Sequence, residues 1–146
     1  NIDLNVLFDS CEDMAKTKTG AIIVLQRSNS LDFTVTENNR SNIKLMPQIL
    51  ESIFFKNSPL HDGAIIIEKN NIIATRVVLP VSDSIKMPSH YGLRHRAAQG
   101  ISEKTDALVL VISEQTGKIV YVKNGEFFSF DSTGALRDII AQDLSE

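Results

Sequence analysis

The sequence predicts a mixed α/β fold in which one central β-sheet carries helices on both of its faces. Short aliphatic runs alternate along the 146 residues with longer stretches whose apolar residues recur at helical spacing. The aliphatic runs do not alternate between apolar and polar residues as half-exposed strands do. Such unbroken runs are typical of central strands that are buried on both faces. The periodic stretches are typical of amphipathic helices that cover such a sheet. Neither a repeat nor a linker divides the chain, so we expect one domain over 1–146.

The first third of the chain predicts a helix, a strand and an irregular segment. Apolar residues recur at helical spacing over 4–15, and Asp3 is the expected N-cap. The run at 21–25 is short and rich in β-branched residues, which indicates a buried strand. Residues 27–41 are polar with clusters of Asn and Ser, so we expect irregular structure.

The remaining elements are predicted by the same signals. Pro47 opens an amphipathic stretch over 48–55, and proline is favoured in the first turn of a helix. Aliphatic runs at 64–67 and 72–79 flank the polar residues 68–71, which is typical of a β-hairpin. Beyond them we expect a loop at 80–92, a helix at 94–104, strands at 107–112, 118–123 and 126–130, and a capped helix from 132 or 133 to 144.

Composition excludes several classes of function. The chain has 15 basic and 18 acidic residues, a net charge of −3, which argues against a broad basic surface for nucleic acid. The single cysteine, Cys11, excludes an internal disulfide and is interpreted as a buried hydrophobic residue. No apolar run reaches the ~18 residues of a membrane span. P-loop and dinucleotide-binding glycine motifs are also lacking.

Polar residues precede one of the predicted strands. His61 and Asp62 lie just before the run at 64–67. Gly63, which separates Asp62 from that run, permits a close backbone approach or an unusual φ. A carboxylate at a strand edge can bind a divalent metal or accept a hydrogen bond from a substrate hydroxyl. The alternative is a turn in which Asp62 caps backbone amides.

Two further segments could bind anions. Arg94, His95 and Arg96 lie at the start of a predicted helix, where free amides and planar guanidinium groups suit phosphate oxygens. The alternative for this cluster is a solvated basic face. Ser113 and Glu114 follow a buried strand and could bind phosphate and a metal, although taken in isolation this segment favours an ordinary hairpin turn.

Taken in order, these segments resemble the diadenylate cyclase family, which is marked by a D-G-A motif and an R-H-R motif. Here those motifs are Asp62-Gly63-Ala64 and Arg94-His95-Arg96. The similarity covers roughly Leu4 to Glu126. It also includes the segments at 20–24, 58–64, 79–82, 94–107 and 113–117.

The resemblance implies an enzyme that condenses two ATP molecules into cyclic di-AMP and releases two pyrophosphates. It implies Mg²⁺ or Mn²⁺ as the metal and a homodimer whose subunits meet face to face, each holding one ATP. We expect no nucleic-acid partner, and no membrane contact by these residues themselves. Similarity to the membrane-linked branch, together with a start at Asn1 that lacks Met, leads us to expect a cytoplasmic domain of a protein anchored by a preceding segment.

The resemblance also assigns expected roles to residues. Asp62 would accept the proton of the 3′-hydroxyl or bind a metal that acidifies it; we favour the metal, because aspartates ordinarily have a pKa of about 3.9 and are poor bases for alcohols. His61 and Glu114 are further candidate metal ligands. The triphosphate would be bound by Arg94, His95, Arg96 and Ser113. The nucleoside would contact Gly63, Ala64 and Leu79, although Leu79 could equally be plain core.

Two positions depart from the family pattern. Leu93 stands where a Thr or Ser usually precedes R-H-R, which removes a hydroxyl near the expected phosphates. Gln115 stands where a second glutamate is expected. These departures motivate an alternative function, a regulatory module that binds ATP or cyclic di-AMP without turnover. A third hypothesis is an interaction domain whose arginines are only surface residues.

Overall fold

A mixed seven-stranded sheet forms the centre of the protein. The computed structural model describes residues 1–84 and 87–146, and within them lie the following strands and helices. The strands are β1 (Ala21–Leu25), β2 (Arg40–Lys44), β3 (Ala64–Glu68), β4 (Asn71–Val77), β5 (Leu108–Ile112), β6 (Ile119–Lys123) and β7 (Glu126–Phe128). The helices are α1 (Leu4–Lys16), α2 (Ile49–Phe54), α3 (Leu93–Lys104) and α4 (Thr133–Leu144).

The strand order is β2-β4-β3-β1-β5-β6-β7, and it explains where a site can form. Strand β1 runs parallel to β3 and antiparallel to β5, while the other neighbouring pairs are antiparallel. The starts of β1 and β3 therefore lie at the same edge of the sheet as the ends of β4 and β5. Chain segments that are far apart in sequence meet at this edge.

Two apolar cores cover the two faces of the sheet. One face carries Ile23, Ile65 and Leu110 and packs against α1, α2 and α4. The other carries Val24 and Ile66 and packs against α3. Every residue of β1 and β5 is buried, which confirms the prediction of central strands without alternation. Full burial of such a side chain contributes about 1.5–3 kcal/mol, so the aliphatic sheet dominates the stability of the fold.

The predicted helix caps are present. The Asp3 carboxylate accepts a hydrogen bond from the Val6 amide, and the Ser132 hydroxyl accepts one from the Ala135 amide. Cys11 is fully buried, as interpreted from the sequence, and burial raises the pKa of its thiol. Among the described residues, no helix is both long and apolar enough to cross a membrane.

Some boundaries predicted from the sequence are wrong. Helix α2 begins at Ile49 after Gln48, which has a left-handed φ of 72°, so Pro47 lies before the helix and not in its first turn. The hairpin of β3 and β4 is present, but its strands include Glu68 and Asn71, which shortens the turn to two residues. Strand β4 ends at Val77, before Val78 and Leu79.

An edge strand was missed by the sequence reasoning. Residues 27–41, expected to be irregular, contain a single 3₁₀ turn at Asp32–Thr34 and the start of β2 at Arg40. Strand β2 pairs with β4 alone, through an irregular register. Its polar composition suits an edge strand that must avoid pairing with other chains. The same composition makes it resemble a loop in the sequence. Within the expected loop at 80–92, residues 85 and 86 lie outside the described part.

Candidate active site

A cavity of about 580 Å³ opens at the sheet edge where β1 and β3 begin and β4 and β5 end. The amino-terminal turn of α3 closes one side of it. The residues that line it are Ile22, Asp62, Gly63, Val77, Val78, Leu79, Val81, His90, Gly92, Leu93, Arg94, His95, Ala97, Ser113, Glu114 and Gln115. The sheet topology thus brings the three polar segments singled out in the sequence to one place.

Most of the predicted site residues line this cavity, and three do not. Ala64 begins β3 and is fully buried in the core beneath the cavity. His61 lies beside Asp62, outside the lining. Arg96 points elsewhere, as described below. Sequence reasoning did not identify Val78, Val81 and His90, because nothing in their local pattern distinguishes them from ordinary strand-end and loop residues.

Arg94 is the cationic group of the cavity. It occupies the second position of α3, and its side chain is 29% exposed. Its Nη1 lies 3.3 Å from Oε1 of Glu114, which is itself largely exposed. A solvated surface pair of this kind is weak, so Glu114 orients the guanidinium without preventing it from binding another anion.

Arg96 contacts the loop that follows β4. Its Nη1 donates to the carbonyl oxygens of Ser82, at 3.2 Å, and Ser84, at 3.3 Å. The Ser82 amide in turn donates to the Arg96 carbonyl. The two arginines of the R-H-R motif therefore have different surroundings: Arg94 faces the cavity, and Arg96 holds a loop against α3.

His95 lies between these two arginines in the sequence, and its side chain is buried. Its ring stacks on Tyr91 with a centroid distance of 4.0 Å and an interplanar angle of 12°. Burial, together with the nearby His90 and Arg94, lowers the pKa of His95 to about 4. The imidazole is therefore neutral near pH 7 and can donate only one N–H bond.

His61 and Asp62 form a pair at the start of β3. His61 Nδ1 lies 2.8 Å from the Ser58 carbonyl oxygen, and since a carbonyl only accepts, this nitrogen carries the proton. The other ring nitrogen, Nε2, lies 3.2 Å from Asp62 Oδ1. Asp62 is 87% exposed, so its carboxylate is accessible from the cavity.

The next residue requires glycine. Gly63 has a φ of +85°, and a Cβ on it would lie 2.8 Å from the carbonyl oxygen of Val77. This confirms the unusual φ predicted from the sequence. The close approach of Gly63 to the end of β4 fixes the position of the preceding residue, Asp62, at the start of β3.

The turn after β5 contributes hydroxyl and carboxylate groups. The Ser113 hydroxyl accepts hydrogen bonds from the amides of Gln115 and Thr116, each at 3.2 Å, so it organises the turn while it lines the cavity. Across the described residues, no group of three or more His, Cys, Asp or Glu side chains could hold a metal by itself. A divalent ion here would need oxygens from a ligand to complete its coordination.

The apolar wall is unusually exposed. Val78, Val81 and Leu93 are 85%, 52% and 80% exposed, whereas Leu79 is only 6% exposed and belongs to the core as well as to the wall. Leu79 therefore fits both interpretations drawn from the sequence. The exposed residues lie at the cavity mouth, where they are free to contact a ligand or another surface.

A family model described as "DisA bacterial checkpoint controller nucleotide-binding" (DAC) matches residues 8–127 of the chain. The chain belongs to this diadenylate cyclase family. The match includes every residue that lines the cavity. It also confirms the resemblance based on the D-G-A and R-H-R motifs.

Named members of the diadenylate cyclase family are similar to the chain over most of its length. It is 42% identical over 135 residues to a diadenylate cyclase of Listeria monocytogenes, which covers 92% of the chain and 50% of that protein. It is 36% identical over 133 residues to the cyclic di-AMP synthase CdaA of Bacillus subtilis, covering 91% of the chain and 49% of that protein. The chain thus spans about half the length of these relatives.

Solved structures confirm the diadenylate cyclase fold. DacA from Staphylococcus aureus, solved as a double mutant, has a TM-score of 0.91 at 34% identity, covering 97% of this chain and 94% of that one. A protein described as a hypothetical membrane spanning protein from Bacillus cereus has a TM-score of 0.83 at 36% identity, covering 88% and 63%. The predicted mixed sheet with helices on both faces is therefore correct.

Proposed function

We propose that residues 1–146 form the catalytic domain of a diadenylate cyclase, which converts two ATP molecules into cyclic di-AMP and two pyrophosphates. The observation that carries this proposal is the cavity in which Asp62, Arg94 and Ser113 meet, in a chain of this family. The cavity volume of about 580 Å³ lies within the range of about 300–1,000 Å³ typical of small-molecule sites.

In this proposal the cavity holds one ATP. The Arg94 guanidinium binds phosphate oxygens, for which its planar donors are well suited. His95 contributes an N–H donor from a ring that is neutral near pH 7 before ATP binds, because burial lowers its pKa to about 4. Ser113 lies at the phosphate end, and the apolar Leu79 supports the base. Arg96 acts indirectly, because its guanidinium holds the loop at Ser82 and Ser84.

The proposed reaction needs no covalent enzyme intermediate. The 3′-oxygen of each ATP attacks the α-phosphorus of the other, and a new P–O bond forms. The bond from that phosphorus to the bridging oxygen breaks, and pyrophosphate leaves with its electron pair. The hydroxyl proton is released towards the Asp62 carboxylate, which is exposed to the cavity. The protein contributes mainly positioning and charge stabilisation.

Asp62 and His61 would hold the divalent metal in this proposal. Nδ1 of His61 is committed to the Ser58 carbonyl, and its Nε2 lies 3.2 Å from Asp62 Oδ1, so a metal that displaces the Nε2 proton would find both atoms close together. A carboxylate oxygen and an imidazole nitrogen fit Mn²⁺, and the carboxylate also fits Mg²⁺ completed by phosphate oxygens. When bound, the metal acidifies the hydroxyl and neutralises phosphate charge. Glu114, whose Oε1 lies 3.3 Å from Arg94 Nη1, would be a third ligand through its other carboxylate oxygen.

A second copy of the chain completes the reacting centre in this proposal. One cavity supplies one ATP, whereas two are consumed. The exposed Val78, Val81 and Leu93 at the mouth give an apolar rim for the facing subunit.

We further propose that this domain is the cytoplasmic part of a membrane-anchored protein. Support comes from the similarity to CdaA and to the protein described as membrane spanning.

The proposal is tested by incubating the purified chain with ATP and, separately, with Mg²⁺ or Mn²⁺. We expect cyclic di-AMP, identified by mass, and two pyrophosphates for each cyclic product. Asp138→Asn should form the same products, because Asp138 is exposed on α4, which packs on the sheet face opposite α3, and it does not line the cavity. A dimer-competent sample that binds ATP but forms no product with either metal would instead support the regulatory module. Leu93 and Gln115 motivate that alternative.

A further inference from the structure

Gly20 lies beneath the guanidinium of Arg94. It is buried and immediately precedes β1. A Cβ on Gly20 would lie 2.6 Å from Nη1 and 2.8 Å from Nη2 of Arg94, and closer still to the carbon that joins them. Real Cβ atoms essentially never lie within 3.0 Å of another heavy atom. Any other residue at this position would occupy space that Arg94 now fills.

The backbone of Gly20 gives no other reason for glycine. The glycines with positive φ are Gly63, Gly117 and Gly125, so the conformation of Gly20 is open to L-residues. The three atoms nearest to its added Cβ all belong to the Arg94 guanidinium, and none belongs to the backbone. The conflict is therefore with the end of one flexible side chain, which can move without disturbing the fold.

The sheet register explains why Arg94 is held from two directions. Ala21 of β1 pairs with Ile112 of β5, so Gly20 lies beside the residue that follows β5, Ser113. Glu114 comes next and places its Oε1 3.3 Å from Arg94 Nη1. The guanidinium thus lies on the bare backbone of Gly20, with the Glu114 carboxylate beside it.

We propose that Gly20 is a positioning residue for Arg94. Because Gly20 has no side chain, it leaves the space that the guanidinium occupies when it binds the triphosphate. The inference rests on the proposed function, because it takes phosphate as the partner of Arg94. A guanidinium ordered in advance loses less conformational freedom when it binds. With any side chain at position 20, Arg94 is displaced from its place beside Glu114 and Ser113.

The test is the variant Gly20→Ala, with ATP binding measured by calorimetry and folding by thermal unfolding. We expect the dissociation constant for ATP to rise about tenfold or more, the scale of a lost hydrogen bond to a charged group. Binding of adenosine, which has no phosphate, is expected to stay unchanged. The matched control is Gly134→Ala, since a Cβ there would meet only one side-chain atom, 3.9 Å away; this variant should leave ATP affinity unaltered and should not lower the melting temperature.

A double variant separates positioning from a structural role. Arg94→Ala alone should weaken ATP binding, and adding Gly20→Ala to it should neither weaken binding further nor lower the melting temperature, because the conflicting atoms are gone. Unchanged ATP affinity in Gly20→Ala, or an equal further loss in the Arg94→Ala background, would overturn the inference. Misfolding of Gly20→Ala that persists in the double variant would also overturn it. By contrast, unchanged ATP binding in Arg94→Ala would contradict the proposed function itself.

Discussion

At the scale of single residues, the two charged groups of the cavity have contrasting environments. Arg94 is half-buried and lies beside Glu114, whereas Asp62 is 87% exposed and lies beside His61. A held cation suits a ligand charge that is permanent, such as a triphosphate. An accessible carboxylate suits a group that changes during the reaction, such as the attacking hydroxyl. We therefore expect Arg94 to serve mainly binding and Asp62 to serve mainly the reaction itself.

This division of roles predicts the behaviour of Asp62→Asn. The amide keeps the shape of the side chain but removes the charge that a metal or a hydroxyl proton requires. We expect turnover to fall by a factor of about 10²–10⁴, the usual contribution of a proton-transfer group, or below detection if metal binding is also lost. The dissociation constant for ATP without added metal should change less than threefold. Retention of normal turnover, measured by product mass, would show that the assigned role of Asp62 is wrong.

His95 predicts a pH dependence of stability. Its folded pKa of about 4 lies below the ordinary 6.5, so between these values the unfolded chain binds a proton that the folded chain does not. Stability therefore falls as the pH is lowered from 6.5 towards 4, by up to about 1.4 kcal/mol per pH unit from this group. Denaturant unfolding of His95→Asn should show a shallower pH slope than the parent protein. Parallel slopes would contradict the burial of a neutral ring.

At the scale of elements, the sequence was informative where local chemistry decides structure. The unbroken aliphatic runs of β1 and β5 and the caps Asp3 and Ser132 were all predictable. Strand β2 was not, because it depends on pairing with β4 and its polar residues resemble a loop. The same limit applies to the site: the motifs identified Arg96, but only the packed loop reveals that its Nη1 donates to the carbonyls of Ser82 and Ser84.

Helix α4 is anchored to the sheet by a polar network, which gives a prediction for Tyr121→Phe. The Tyr121 hydroxyl donates to Asp143 Oδ2 at 2.6 Å, and Lys123 Nζ lies 3.1 Å from Asp143 Oδ1. Burial opposes ionisation of Asp143, but these two partners outweigh it and hold its pKa below the usual value. Removing the hydroxyl should lower the free energy of unfolding by about 1.5–3 kcal/mol.

Denaturant unfolding measures this loss, and Asp138→Asn on the exposed side of α4 is the control for a carboxylate outside the network. In an Asp143→Asn background the cost of Tyr121→Phe should shrink, because the charged acceptor is gone. Equal costs in both backgrounds would mean that the Tyr121 hydroxyl does not stabilise the protein through the charge of Asp143.

At the scale of the whole molecule, the geometry explains why one sheet edge carries the entire site. The parallel pairing of β1 with β3 and the antiparallel pairing of β1 with β5 bring the segment before β3 and the turn after β5 to the same edge. Helix α3 packs on the face above and directs its first turn there. The result is a cavity with an exposed apolar rim.

The proposed pairing of two subunits predicts how mixtures of variants behave. Cyclic di-AMP contains two new phosphodiester bonds, and in a face-to-face dimer each needs the Asp62 of a different subunit. When the parent protein is mixed with excess Asp62→Asn, most parent subunits should pair with the variant and form only one of the bonds. We expect the cyclic product per parent subunit to fall and a linear dinucleotide that retains one triphosphate to accumulate, with one pyrophosphate released. Mass analysis distinguishes the two products. Excess Asp62→Asn that leaves the yield of cyclic product unchanged would show that each subunit completes the reaction alone.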